Sequence, residues 1–271
     1  MPDPRNGRTF FPGRTPDDPG LALFLNAGDP GPDQTRELLL ALDDSGVDCA
    51  ELAVPFPDSP TDGPTIRRSA QRALTNGIDL DRTLGLIAGV RPSLRHTKIA
   101  LLADWRHSIR GPGMEEFLRR ARGAGADAVL PHGLPPLLKS RFLETAHRLC
   151  LPVVTTCYAT SDEAVVQQSA RQATAYLYLV ARYGRSGSDA PLDHTALRRA
   201  LDTARLHTDA PLAAGFGVRT AADVRGVGEL GAHAAVIGTA LVESVERALV
   251  EDRDVTEAAL RYLSGLLRRP S

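Results

Sequence analysis

Glu51 stands inside the apolar run Cys49-Ala50-Glu51-Leu52-Ala53-Val54, and the proline-rich loop that follows carries Asp58 and Asp62. A carboxylate among apolar neighbours is costly to ionise. That desolvation lifts its pKa toward the range where one group can both give and take a proton near neutrality. A glutamate held by a structural arginine fits the same pattern, so the position alone leaves both readings open. Asp58 and Asp62 read first as turn and helix-capping residues, with an acid/base or charge-stabilising part as the alternative. Three glycine clusters, Gly184-Arg185-Ser186-Gly187, Gly215-Phe216-Gly217 and Gly238-Thr239, offer backbone N–H groups that can cradle a phosphate without a lysine.

Other chemistries are disfavoured by residue type and place. The only two lysines are Lys98, at the start of an apolar run, and Lys139, within a helical stretch, so neither suits an imine-forming role at a strand end. Cys49, Cys150 and Cys157 are odd in number and lie among apolar residues, which reads as buried reduced thiols. The seven histidines, His96, His107, His132, His147, His194, His207 and His233, show no metal-ligand spacing; no metal and no organic cofactor is expected. His132 reads as a solvated loop residue, with ligand contact as the alternative.

These residues need a scaffold that brings them together. Short apolar runs at 21–26, 49–54, 98–103, 128–130, 152–157, 176–180, 212–215 and 234–238 alternate with amphipathic stretches. Runs apolar on both faces are what parallel strands covered by helices look like. Asp33 reads as the cap of a helix ending near Ser45-Gly46, Pro64 opens one ending at Asn76-Gly77, and Asp162 opens one to about Gln172. Eight such units in roughly 230 residues predict a (β/α)8 TIM barrel over 21–271, preceded by an irregular Pro/Gly-rich surface leader at 1–20. A final helix at 255–268, with Leu260, Leu263, Leu266 and Leu267 on one face, is expected to pack across the barrel. In such a barrel the carboxyl ends of the strands carry function, which selects Glu51, the loop after it and the three glycine clusters.

Composition narrows the partners. The chain has 271 residues, 42% hydrophobic and 24% charged, with 32 basic against 33 acidic residues and a net charge of −1. That balance supports a sizeable core and offers no basic surface for nucleic acid or membrane, so a small-molecule partner is expected. No apolar stretch is long enough for a membrane span and the opening residues lack the apolar core of a signal peptide, which predicts a cytoplasmic protein.

Gly28-Asp29-Pro30, the segment from Glu51-Leu52-Ala53-Val54-Pro55-Phe56 to Asp62-Gly63-Pro64-Thr65-Ile66, Tyr178, and the two later glycine clusters together resemble the tryptophan synthase α subunit family. The resemblance runs from about Leu23 to Ala248. It implies retro-aldol cleavage of indole-3-glycerol phosphate to indole and glyceraldehyde 3-phosphate without a cofactor. By matching position Glu51 takes the acid/base role, Asp62 accepts the indole N–H, and Tyr178 orients Glu51 or substrate. Phe24 and Phe216 form apolar walls; Ser186 can contact Asp62; Gly187, Gly217, Gly238 and Thr239 contact the phosphate.

The sequence departs from the family pattern away from the two carboxylates. Asp104-Trp105-Arg106 stands where the family carries Tyr-x-Asn, and Pro131-His132-Gly133-Leu134-Pro135 where it carries Asp-x-Pro. Tyr183 and Arg185 also replace smaller residues, and the leader replaces an amino-terminal helix. In the family the first two loops face a PLP-dependent β subunit that receives indole, so that interface is expected to be weakened or re-specified. Two alternatives stay open: cleavage of a modified indole or another aryl-glycerol phosphate in a specialised pathway, and a non-catalytic paralogue that activates a β-type partner.

Overall fold

A computed structural model describes residues 10–181, 194–215 and 217–267. Eight strands, β1 (Gly20–Asn26), β2 (Cys49–Ala53), β3 (Lys98–Asp104), β4 (Ala128–His132), β5 (Thr155–Tyr158), β6 (Leu177–Val180), β7 (Leu212–Gly215) and β8 (Ala234–Ile237), form one parallel sheet. Their order, β4-β3-β2-β1-β8-β7-β6-β5, wraps the first strand onto the last, and a parallel bridge between Val129 and Val153 joins the two remaining edges. This is the expected TIM barrel. The join is narrow because prolines flank it on both strands, Pro152 before Val153 and Pro131 after Val129, and neither has an N–H to give; β5 begins at Thr155, where its pairing with β6 starts, three residues later than the apolar run suggests.

Helices follow the expected punctuation with some shifts. Helix α1 (Pro32–Asp44) starts from Gly31, with Pro32 fixing the first turn, so Asp33 lies inside that turn and is not the cap. The link from β2 to β3 holds two helices, α2 (Pro64–Thr75) and α3 (Leu80–Val90), the second capped by the Asp79 side chain on the Arg82 N–H. The last helix, α10 (Val255–Leu267), belongs to the outer ring and packs on α9 (Thr239–Val250), α1 and α8 (Ala221–Glu229), not across the barrel. Its buried face is Val255, Ala258, Ala259, Leu263 and Leu266, whereas Leu260 and Leu267 are partly in solvent. Cys150 differs from expectation too: it is exposed, at φ 51° in the turn after α5 (Lys139–Arg148), while Cys49 and Cys157 are buried.

The barrel interior decides where the site sits. At the amino-terminal end the inward-facing residues are mostly small: Ala22, Cys49, Ala100, Ala128, Ala213 and Ala234. Alanines leave space that two other elements fill. Tyr176, fully buried, enters from just before β6, and Phe10 and Phe11 pack on its ring at centroid distances of 5.5 and 5.3 Å. The segment read as a surface leader therefore closes the barrel floor, because a fully extended alanine layer would otherwise leave voids that close-packed interiors do not keep. Phe10→Ala or Phe11→Ala is expected to destabilise the fold by about 3–5 kcal/mol, the usual cost of an aromatic truncated in a core. Urea unfolding checks this, and near-neutral variants would show that the floor closes without them.

Candidate functional site

Glu51 is the central residue of β2, 2% exposed, with Phe24 of β1 and Ala100 of β3 as its register neighbours. Side chains alternate along a strand, so Cys49, Glu51 and Ala53 all face the interior. The small Ala100 leaves room for the carboxyl, and Tyr176 Oη donates to Glu51 Oε1 at 2.6 Å. Burial pushes the Glu51 pKa up to about 7, with the tyrosine bond partly holding it down. Burial and then the nearby Cys49 and Glu51 keep the Tyr176 hydroxyl protonated, which preserves it as the donor.

Asp62 lies in the loop between β2 and α2. Burial raises its pKa, against the pull of a bond from Ser59 and of the nearby His132 and Arg67 side chains. The loop is pinned from two sides. The Arg67 guanidinium donates to the Ser59 carbonyl. The Phe56 ring packs on two imidazoles, stacked on His107 at 5.4 Å and tilted on His132 at 5.6 Å. Asp58 is exposed at φ 55°, in the left-handed region that aspartate tolerates, and serves the turn.

Both imidazoles are organised by Asp104, the last residue of β3. Its Oδ1 accepts the His107 ring Nδ1–H at 2.7 Å and the backbone N–H groups of Arg106 and His107 at 2.9 and 3.0 Å. Its Oδ2 accepts His132 Nδ1–H at 3.1 Å. Burial works against the charge, but bonds from His132 and His107 outweigh it and hold the Asp104 pKa below the ordinary carboxylate value. His132 ends β4 as the register partner of Asp104, so it is a strand residue and not a solvated loop one.

Glu51, Asp62 and Tyr178 line one cavity of about 480 Å³ at the carboxyl end of the barrel, together with Phe24, Gly217, Gly238 and Thr239. That volume suits a small ligand. Tyr178 does not donate to Glu51; Tyr176 does. The Tyr178 hydroxyl instead sits 3.1 Å from where a Cβ on Gly215 would stand, and burial followed by the Glu51 and Asp62 charges raises its pKa. Gly215 admits no side chain, since a Cβ would come within 2.6 Å of the Val236 carbonyl.

On the far wall Gly217 adopts φ 88°, and Gly238 begins α9 with no side-chain cap, leaving first-turn N–H groups for an anion. Arg219 joins that wall and pairs with Glu243. Ser186, Gly187 and Phe216 lie outside the described residues. Nothing local in the sequence marks Tyr176, Arg219 or the pairing of Asp104 with His132 as part of the site. Asp104 and His132 are 28 residues apart and meet only through strand register, and a fourth strand read as ending at 130 stops two residues short of it.

Neither lysine lines the cavity. Among the described residues no three His, Cys, Asp or Glu side chains are placed to hold a metal ion, and no helix is long and apolar enough to cross a membrane.

A family model described as Tryptophan synthase alpha chain matches residues 13–267. The tryptophan synthase alpha chain of Laribacter hongkongensis is 36% identical over 240 residues, 89% of this chain and 90% of that protein. That of Methylococcus capsulatus is 35% identical over 247 residues, 91% and 90% of the two chains. Among solved structures, a mutant tryptophan synthase α-subunit from the hyperthermophile Pyrococcus furiosus superposes with a TM-score of 0.82 at 28% identity, over 94% of this chain and 98% of that one. The α subunit from Legionella pneumophila does so with a TM-score of 0.81 at 27% identity, over 92% and 91%. With the same barrel, most of its length matched and two carboxyl groups on one cavity, this chain belongs to the tryptophan synthase alpha chain family.

Proposed function

We propose that the chain is an indole-3-glycerol-phosphate lyase whose reaction is carried by Glu51 and Asp62. The observation that supports this reading most is a carboxyl group with a pKa of about 7 on the same cavity as a second carboxylate. Protonated Glu51 delivers its proton to indole C3, which breaks the ring's aromaticity and leaves positive charge on the heterocycle. The resulting Glu51 carboxylate takes the proton of the hydroxyl on the adjoining side-chain carbon. The O–H electrons become the aldehyde C=O, and the carbon–carbon bond electrons return to the ring. Indole and glyceraldehyde 3-phosphate leave, and Glu51 ends protonated as it began.

Asp62, as the carboxylate, accepts the ring N–H and steadies the cationic ring more than the neutral one, which is where a charge contributes to rate. Tyr178 positions the reacting end of the substrate. Gly217, Gly238 and Thr239 take the phosphate at the start of α9, with Gly187 as a further phosphate contact; Ser186 contacts Asp62, and Phe24 and Phe216 wall the ring. Indole then passes to a PLP-dependent β-type subunit, across a face re-specified at Asp104-Trp105-Arg106 and at 131–135.

Incubating the purified chain with indole-3-glycerol phosphate and following indole release tests the reading; a chain that only stimulates a β subunit and releases no indole overturns it. Glu51→Gln is expected to lower turnover by about 10²–10⁴-fold, the usual span for a lost general acid/base. Asp62→Asn should cost about 10²-fold or more in turnover while a phosphate-bearing analogue still binds, as titration calorimetry would show.

The raised pKa of Glu51 has a stability signature as well. Below its unfolded value of 4.5 the group is protonated in both states. As pH rises toward about 7 the unfolded chain releases the proton and the folded one keeps it, so stability falls across that window. Glu51→Gln lacks this loss, and its advantage over wild type should grow by on the order of 3 kcal/mol from about pH 4 to about pH 8. Urea unfolding at several pH values measures the difference, and a flat one removes the desolvated carboxyl as its source. In Tyr176→Phe the carboxylate loses its donor, so the limb of the kcat/KM profile set by Glu51 should move to higher pH.

A further inference from the structure

The cavity has two ends, and the strand order says which is which. In the ring of eight, β4 lies opposite β8. A phosphate held at Gly217, Gly238 and Thr239 therefore sends the aryl group toward β2–β4, where Asp62 stands. The walls there include the apolar Phe56, Leu102, Leu130 and Pro131, and among them stand three polar residues, Thr61, Asp62 and His132. His132 lines the cavity close enough to Asp62 to help hold that carboxyl's pKa down against burial.

An imidazole in that position is built, not incidental. Asp104 is saturated by four donors, and its accepting Oδ2 fixes the proton of His132 on Nδ1. Nε2 is then the nitrogen left to accept, with Thr61 Oγ1 at 3.3 Å, the long end of hydrogen-bond distances, and Thr61 lines the cavity as His132 does. Thr61 has a second partner in the Ser59 hydroxyl at 3.4 Å, so it can yield Nε2 to a ligand. An unsubstituted benzo ring packed against this pair would desolvate Nε2 and leave it only the long Thr61 contact.

We propose that His132, held by Asp104, is a specificity-determining residue that receives a hydroxyl carried on the benzo ring of the indole-3-glycerol phosphate substrate. The inference rests on the lyase reading and names its substrate class. A hydroxyl suits the site because it donates to Nε2 of the neutral ring and accepts from the N–H of the charged one. A site that hydrogen-bonds a substrate group discriminates against the analogue lacking it.

The test compares kcat/KM for indole-3-glycerol phosphate with that for each benzo-ring hydroxylated isomer, in the wild type, His132→Ala and Asp104→Asn. One hydroxylated isomer should be preferred by about tenfold in the wild type. The preference should vanish in His132→Ala and shrink in Asp104→Asn, where the ring loses its fixed tautomer. Calorimetric titration of wild type with the matching hydroxyindole and with indole gives the same comparison without any variant. Equal kcat/KM for all isomers in a wild type that cleaves the unsubstituted substrate overturns this inference and leaves the lyase reading standing. A parallel fall on all substrates in His132→Ala, with their ratio unchanged, also overturns it and makes the residue a prop for the Thr61–Asp62 loop. Cleavage of no substrate by the wild type overturns both readings.

Discussion

A single hydrogen bond from Tyr176 to Glu51 keeps a carboxyl group in working condition at the buried centre of the barrel. Without a donor the group would be held as a neutral acid; with a cation it would be locked as an anion. A phenol supplies the middle course, because it favours the carboxylate without adding a charge. The surrounding residues are arranged around that bond. Ala100 makes space for it, Cys49 lies below it with its sulfur 3.9 Å from the phenol oxygen, and Phe10 and Phe11 seal the floor against water.

Charge is divided around the cavity with little use of cations. On the β7–β8 side, the glycine turn and the start of α9 present partial positive charge from the backbone, to which Arg219 adds its side chain. On the β2–β4 side two carboxylates play opposite parts. Asp104 is stabilised as an anion by four donors and acts as a fixed anchor, whereas Asp62 is only partly compensated and keeps capacity for a ligand. Phe56 links them mechanically, since its ring packs on the two imidazoles that Asp104 holds and its loop carries Asp62.

How much of this could be read beforehand follows from the range of the interactions. Eight doubly apolar runs are a local signal, and they predict the barrel with strand ends displaced by up to three residues. Glu51 is legible for the same reason: a charge in such a run stands out. Tyr176 is not, because a tyrosine in an apolar run looks like ordinary core and its bond partner lies 125 residues away. Phe10 and Phe11 are hidden by their proline- and glycine-rich surroundings, which describe the backbone correctly as irregular but say nothing of where two aromatic rings go. The Asp104–His132 pair needs the register of β3 on β4, a relation between strands that no single run contains.

The floor of the pocket has a consequence for how the molecule is assembled. Phe10 and Phe11 leave the ribosome before any strand of the barrel, yet the ring they rest on, Tyr176, arrives with the sixth. Until then these aromatics lack the ring they pack on and the acid/base carboxyl lacks its donor. Its unusual protonation behaviour is thus acquired late, at the moment when the earliest-made segment finds the later one.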